Sequence, residues 1–289
     1  MEPRSLRVTG ATGLELHALE WSTEQTPLVL IHGFGNEAHI WDDFAPSVAP
    51  YYRVLALDLR GHGDSDHDPA GRYDYDNHVA DFEAFAEELD LGRLVLVGHS
   101  FGGRISTLYA ARHPERMAGL VIVDSAPELD RRGIVRIQMD VAESMEPSFT
   151  SPHQYEGLLA HNYPAATPDA IRRMARHGLR ERKDGRYVLK MDTKLRGAGV
   201  ERRSADQMAE HEKTTTAALW KALAKISCPT LVVRGAASDI VSADVAERMA
   251  DEVLQRGQLA VVPLAGHSVM TDNPDGFRDA VTDFILGDE

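Results

Sequence analysis

The sequence predicts an α/β fold: a mostly parallel central sheet with helices on both faces, interrupted by an inserted, mainly helical segment. Three observations carry that reading. Short apolar runs of strand length alternate with stretches whose apolar residues recur at three- and four-residue steps, as parallel strands joined by crossover helices require. The alternation stops near residue 128 and resumes after 226. Finally, Gly98-His99-Ser100-Phe101-Gly102 stands between a strand-like run, 93–97, and a helix-compatible stretch from Gly103 to His113.

Taken in order, Leu14 to Trp21 has a strand-like pattern, and Pro27 to Ile31 and Arg53 to Leu57 are short apolar runs. Between the last two, Ile40, Trp41, Phe44 and Val48 fall on one helical face. Val79, Phe82, Phe85 and Leu89 mark a second helix, followed by strand 93–97, the helix after Ser100 and a strand from Gly119 to Val123. Beyond the insertion come a strand at Thr230 to Val233, a helix at Ala243 to Leu254, a strand at Leu259 to Pro263 and a helix at Pro274 to Leu286. The boundaries that follow are 1–127 for the first part of the core, 128–226 for an inserted cap and 227–289 for the second part.

Inside the insertion, Thr167-Pro168-Asp169 reads as a helix start, with a capping hydroxyl and a proline in the first turn, and Gly178 as its stop. Asp184-Gly185 between two short runs predicts a hairpin. Met139, Met145, Met174, Met191 and Met208 lie here, flexible side chains suited to an adaptable apolar pocket or to ordinary helix packing. Tyr155, Tyr163, Tyr187 and Trp220 are candidates to line such a pocket, with core packing the default for each.

The chain of 289 residues, 43% hydrophobic and 26% charged, is long enough for a sizeable core. No segment approaches the roughly 20 apolar residues of a membrane span, and the first residues lack an apolar signal core. A soluble cytoplasmic protein is the simplest expectation. Cys228 is the single cysteine, which excludes an intrachain disulfide, a thiolate zinc site and a CxxC redox pair. The formal charge is −14, yet residues 128–226 hold 18 Lys and Arg against 14 Asp and Glu. An acidic body with scattered arginines lacks the basic stripe that nucleic acid requires. The expected partner is a small molecule, with neither nucleic acid nor membrane; the oligomeric state is not readable.

The Gly-X-Ser-X-Gly turn places a serine hydroxyl where a nucleophile belongs, and so sharp a turn needs residues without bulk two positions before and after the serine. Gly98 and Gly102 supply them. A serine needs an imidazole to take its proton, and the imidazole needs an acid to hold its tautomer. Asp239 follows the strand at 230–233, and His267 follows the next strand, in Gly266-His267-Ser268. Ser100, Asp239 and His267 therefore occur as nucleophile, acid and base, each just beyond a strand, where open parallel sheets gather their sites. Asp124, which ends Val121-Ile122-Val123, is the competing acid. Asp239 is preferred because its strand lies one unit before the histidine. The oxyanion of an acyl-transfer intermediate requires two donors, assigned to the backbone N–H groups of Phe101 in the elbow and Phe34 in His32-Gly33-Phe34-Gly35. His99 should point away from the nucleophile, and His32 and His62, flanked by glycines, suit structural hydrogen bonding.

With His32-Gly33-Phe34-Gly35, Asp58-Leu59-Arg60-Gly61-His62-Gly63-Asp64-Ser65, the elbow 98–102, Asp239 and Gly266-His267, the chain resembles the α/β-hydrolase superfamily, specifically its cap-bearing serine hydrolases. The resemblance covers both flanks and is weak in 128–226. It implies a helical cap over the site and no cofactor. Dehalogenases and epoxide hydrolases of similar layout use an aspartate nucleophile, against which Ser100 argues. The expected activity is cleavage of a small carboxylic ester or lactone through an acyl-enzyme. Carbon–carbon cleavage of a vinylogous diketone and a triad-bearing ligand receptor are the alternatives.

Two rival motifs need an account. Gly33-Phe34-Gly35-Asn36-Glu37-Ala38, followed by Asp58, matches a dinucleotide fingerprint. Asp64, Asp66 and Asp68 alternate like the start of a calcium loop, but Pro69 and Tyr75 occupy the positions where that loop needs glycine and glutamate.

Overall fold

The computed structural model describes residues 2–23, 25–130, 132–133, 135–136, 148–196 and 205–287. Met139 and Met145 lie outside them, and the side chain of Met208 is likewise not described.

An eight-stranded sheet runs through the molecule. β1 (Arg4–Thr9), β2 (Glu15–Glu20), β3 (Pro27–Ile31), β4 (Arg53–Leu57), β5 (Leu94–His99) and β6 (Met117–Val123) precede the insertion. Within it, β7 (Leu179–Glu181) and β8 (Tyr187–Leu189) form the hairpin expected around Asp184-Gly185, with Gly185 at φ 76. β9 (Thr230–Gly235) and β10 (Gly257–Val262) complete the large sheet, whose order is β1-β2-β4-β3-β5-β6-β9-β10. β1 and β2 are antiparallel to their neighbours, and the other pairings are parallel. β1 has no apolar signature because only Val8 in it is buried, so the sequence reading missed it.

Central strands read as continuous apolar runs because both faces are covered. In β5, Leu94 and Leu96 point to one layer, Val95 and Val97 to the other. The first layer holds α2 (Tyr75–Glu88) and α3 (Phe101–Arg112), with Phe82, Phe85, Ile105 and Tyr109 fully buried. The second holds Trp41, Phe44 and Val48 with Phe277 and Val281 of the last helix. Burying a phenylalanine of this kind contributes about 2–3 kcal/mol. Trp41 and Val48 sit on two short turns rather than one helix, a 3-10 turn at Ala38–Trp41 and α1 (Ala45–Val48). Pro46 has no N–H to give the Asp42 carbonyl, so a continuous helix cannot form.

The insertion provides α4 (Pro152–Asn162), α5 (Pro168–His177) and α6 (Ala205–Leu223). Thr167 caps α5 by accepting from Ala170 N–H, as its sequence requires. Leu223 of α6 joins the core layer that contains α3, whereas Tyr155, Leu159 and Met174 of α4 and α5 join the opposite layer. After β9 come α7 (Ala243–Glu247), continued as a π-helical turn at Arg248–Val253, then α8 (Val269–Asp272) and α9 (Pro274–Leu286). Since β5, β6 and β9 are adjacent and parallel, the loops after them open on one edge of the sheet.

Candidate active site

Ser100 ends the β5 turn with φ 51 and ψ −114, a conformation that non-glycine residues rarely adopt. It is held there from both sides: its N–H donates to Val123 O at 2.9 Å, and Ser125 Oγ donates to its carbonyl at 2.6 Å. The flanking glycines are steric requirements. A Cβ on Gly102 would stand 2.5 Å from the carbonyl oxygens of Ile31 and His32, and one on Gly98 would strike Ser106 and Gly102.

His267 Nε2 lies 2.9 Å from Ser100 Oγ, and its Nδ1 lies 2.8 Å from Asp124 Oδ2. The sequence-based choice of Asp239 is therefore corrected: the carboxylate on His267 belongs to Asp124. Val123 is in register with His99, so Asp124 stands at the end of the strand beside the one that leads into Ser100. In the loop after β9 it is Ser238 that faces this centre. Ser238 Oγ donates to Asp124 Oδ2 at 2.7 Å, and Gly235 N–H donates to Oδ1 at 3.1 Å. Asp239, one residue on, instead binds Arg136 through both oxygens, at 2.6 and 2.9 Å. That guanidinium holds the Asp239 carboxyl below its ordinary range, against partial burial. Asp124 is itself at φ 42 and its side chain is fully buried, features that sequence does not display.

Ser238 and Gly235 were not singled out by sequence reasoning; a short polar side chain in a glycine-bearing loop gives no signal for the acid it serves. His99 was expected to turn from the nucleophile. Its ring packs 4.8 Å from that of His267, and its Nε2 lies 2.9 Å from the His267 carbonyl. Burial, aided by His267, pushes its pKa well down, so the neutral ring donates that bond and anchors the His267 backbone. Asp272 accepts from Gly266 N–H at 2.8 Å and so fixes the same loop; burial raises its pKa.

The rings of Phe34 and Phe101 meet edge to face at 6.3 Å. A Cβ on Gly33 would be 3.2 Å from Ser100 Cβ, so the loop carrying Phe34 passes directly beside the serine. His32 supports that loop: its Nδ1 is 2.8 Å from Gly33 O, and its Nε2 accepts from Leu59 N–H at 3.1 Å. His62 packs edge-on against Phe34 and bonds the Arg60 carbonyl at 3.1 Å.

A cavity of about 550 Å³ opens on Ser100 and His267. Tyr155, Tyr163 and Met191 of the insertion line it, with Arg136 and Asp239 also on its wall. The other aromatic candidates lie elsewhere: Trp220 donates to Glu128 at 2.7 Å, and Tyr187 pairs with Phe149.

The rival motifs are absorbed by the scaffold. Asp58, the acid a dinucleotide ribose would need, is buried and accepts from Ala38 N–H at 2.6 Å and Asp64 N–H at 2.9 Å, with His17 Nδ1 at 2.7 Å. The aspartates of the calcium-like run diverge: Asp64 pairs with Lys190, Asp66 accepts from Glu15 N–H, and buried Asp68 pairs with Arg60 and Arg72.

The alpha/beta hydrolase fold family matches residues 26–274, and the chain belongs to it. It is similar to the crystal structure of E-2-(acetamidomethylene)succinate hydrolase, with a TM-score of 0.84 and 26% identity over 99% of this chain and 100% of that one. Among curated relatives, an esterase of Mycobacterium tuberculosis is 28% identical, covering 92% of this chain and 85% of its own. The 2-hydroxy-6-oxo-6-(2'-aminophenyl)hexa-2,4-dienoic acid hydrolase of Metapseudomonas resinovorans is 27% identical over 96% and 90%. Among the described residues no helix is long and apolar enough to cross a membrane.

Proposed function

We propose that the chain is a serine hydrolase that cleaves a small carboxylic ester or lactone through an acyl-enzyme. The observation that carries this reading is the unbroken bond chain Ser100 Oγ, His267, Asp124 at 2.9 and 2.8 Å, open to the cavity. In it, Ser100 Oγ attacks the carbonyl carbon as its proton passes to His267 Nε2. Asp124 accepts from Nδ1–H and stabilises the imidazolium. The N–H groups of Phe34 and Phe101 hold the developing oxyanion; Phe101 opens α3, whose N-terminal end favours negative charge. His267 then gives its proton to the leaving oxygen as the ester C–O bond breaks. Water repeats the sequence on the acyl-enzyme, releasing the acid and restoring the serine hydroxyl. The esterase relative supports ester chemistry, and the dienoic acid hydrolase relative makes a vinylogous diketone the informative competitor substrate.

The test is steady-state turnover of a panel of short-chain nitrophenyl esters, lactones and a vinylogous diketone by wild type and Ser100→Ala. Ester or lactone turnover that falls by roughly 10³-fold or more in the variant supports the reading. Preferential diketone turnover would replace the ester assignment, and tight ligand binding without turnover would make the chain a receptor.

A further inference from the structure

Away from Ser100, a second constellation joins the core to the insertion. His39 and Asp42 belong to the segment after β3 that also carries Phe34, Gly35 and Asn36 into the cavity wall. His177 is in the last turn of α5, which packs on α4, the helix that brings Tyr155, Leu159 and Asn162 to the same cavity. The rings of His39 and His177 stack at 3.5 Å with 24° between their planes. His39 Nδ1 is 3.0 Å from Asp42 Oδ2 and 3.2 Å from Oδ1. One nitrogen of each ring and a carboxylate oxygen of Asp42 all lie within 4.8 Å of one another.

We propose that His39, Asp42 and His177 form a binding site for one divalent d-block cation of the Zn²⁺ type, which pins the insertion to the core. Donors bound to one zinc ion at about 2.0–2.2 Å stand roughly 3–3.5 Å apart in a tetrahedral shell, the spacing already present between His39 and Asp42. Two imidazoles and one carboxylate suit zinc, nickel or cobalt and are poor ligands for magnesium or calcium. The ion takes the place of the hydrogen between His39 Nδ1 and Asp42, and that proton moves to Nε2 of the same ring. His177 turns its lone pair to the ion, and water completes the shell. All three side chains are only half buried, which leaves the ion a path from solvent.

Arg173 donates to the His39 carbonyl and is paired with Asp43, so its charge is answered locally. A second grouping of potential ligands among the described residues, His17, Asp58 and Asp64, is less suited. His17 bridges Ser5 and Asp58, and Asp58 is tied to two backbone N–H groups.

The test is calorimetric titration of chelator-treated protein with ZnCl₂, together with thermal unfolding with and without zinc. Wild type, His39→Gln and His177→Gln are compared, with MgCl₂ as the control salt. The expected result is one site of Kd below about 100 μM, weakened at least ~10-fold in each variant, with a zinc-dependent rise in Tm confined to wild type. Should a glutamine variant not fold, Asp42→Asn takes its place. The proposal is overturned by no wild-type binding in that range, by retention of affinity in either histidine variant, or by an equal response to magnesium. None of these readouts depends on ester turnover.

Discussion

Asp124 and Ser238 meet at 2.7 Å, so the loop after β9 contributes a hydroxyl to the Asp124 carboxylate rather than a carboxylate to His267. Asp124→Asn keeps the shape but reverses the demand on His267 Nδ1. The expected loss in kcat for ester hydrolysis is about 10³- to 10⁴-fold, whereas Asp239→Asn changes it by no more than ~10-fold. Parallel steady-state assays of the two variants decide the assignment, and the reverse order would restore Asp239.

Ser238→Ala removes one of the donors that hold Asp124 and leaves Gly235 N–H in place. A hydrogen bond to a charged group contributes about 1.5–3 kcal/mol, so kcat should fall roughly 10- to 100-fold with KM little changed. A KM effect larger than the kcat effect would place Ser238 in substrate binding instead.

The parallel sheet, its helices and the elbow were legible because each has a local signature. β5 opens with the uninterrupted apolar run Leu94 to Val97, and Gly98 and Gly102 bracket Ser100 at the spacing a tight turn demands. The acid was not legible in the same way. Asp124 and Asp239 both follow apolar strands, and only strand order, with β6 between β5 and β9, decides which one reaches the histidine. Sequence proximity to His267 favoured Asp239, but Arg136, distant in the chain, captures it. The cavity wall was legible only in part. Tyr155 and Tyr163 reach it, while Tyr187 and Trp220, of the same residue classes, are engaged by Phe149 and Glu128.

Gly102→Ala tests the close approach of α3 to β3. Its added methyl meets two backbone carbonyl oxygens at 2.5 Å, which no rotamer change relieves. The expected cost exceeds ~4 kcal/mol, seen as loss of the cooperative unfolding transition or of soluble protein. A variant within ~1 kcal/mol of wild type by denaturant unfolding would contradict this packing.

Buried histidines set the acid limit of stability. Burial lowers the pKa of His32, His78 and His99 from 6.5, and brings that of His62 to about 3. These groups are neutral when folded and take up protons on unfolding, so their contribution is complete above pH 6.5 and is lost as pH falls below it. Glu37 and Asp272, raised mainly by burial, act in the opposite sense but are fewer. Unfolding free energy should drop between pH 6.5 and 5 by more than the ~1.4 kcal/mol per pH unit of a single proton. Denaturant midpoints that stay flat over this interval would show that these histidines are charged in the folded chain.

The most direct measurement is the rate and position of fluorophosphonate labelling, followed by intact mass and peptide mapping, in wild type, Asp239→Asn and Asp124→Asn. A single adduct on Ser100, formed at similar rates in wild type and Asp239→Asn and at least ~100-fold more slowly in Asp124→Asn, is the predicted result. An adduct on another residue, or undiminished labelling of Asp124→Asn, would contradict the account.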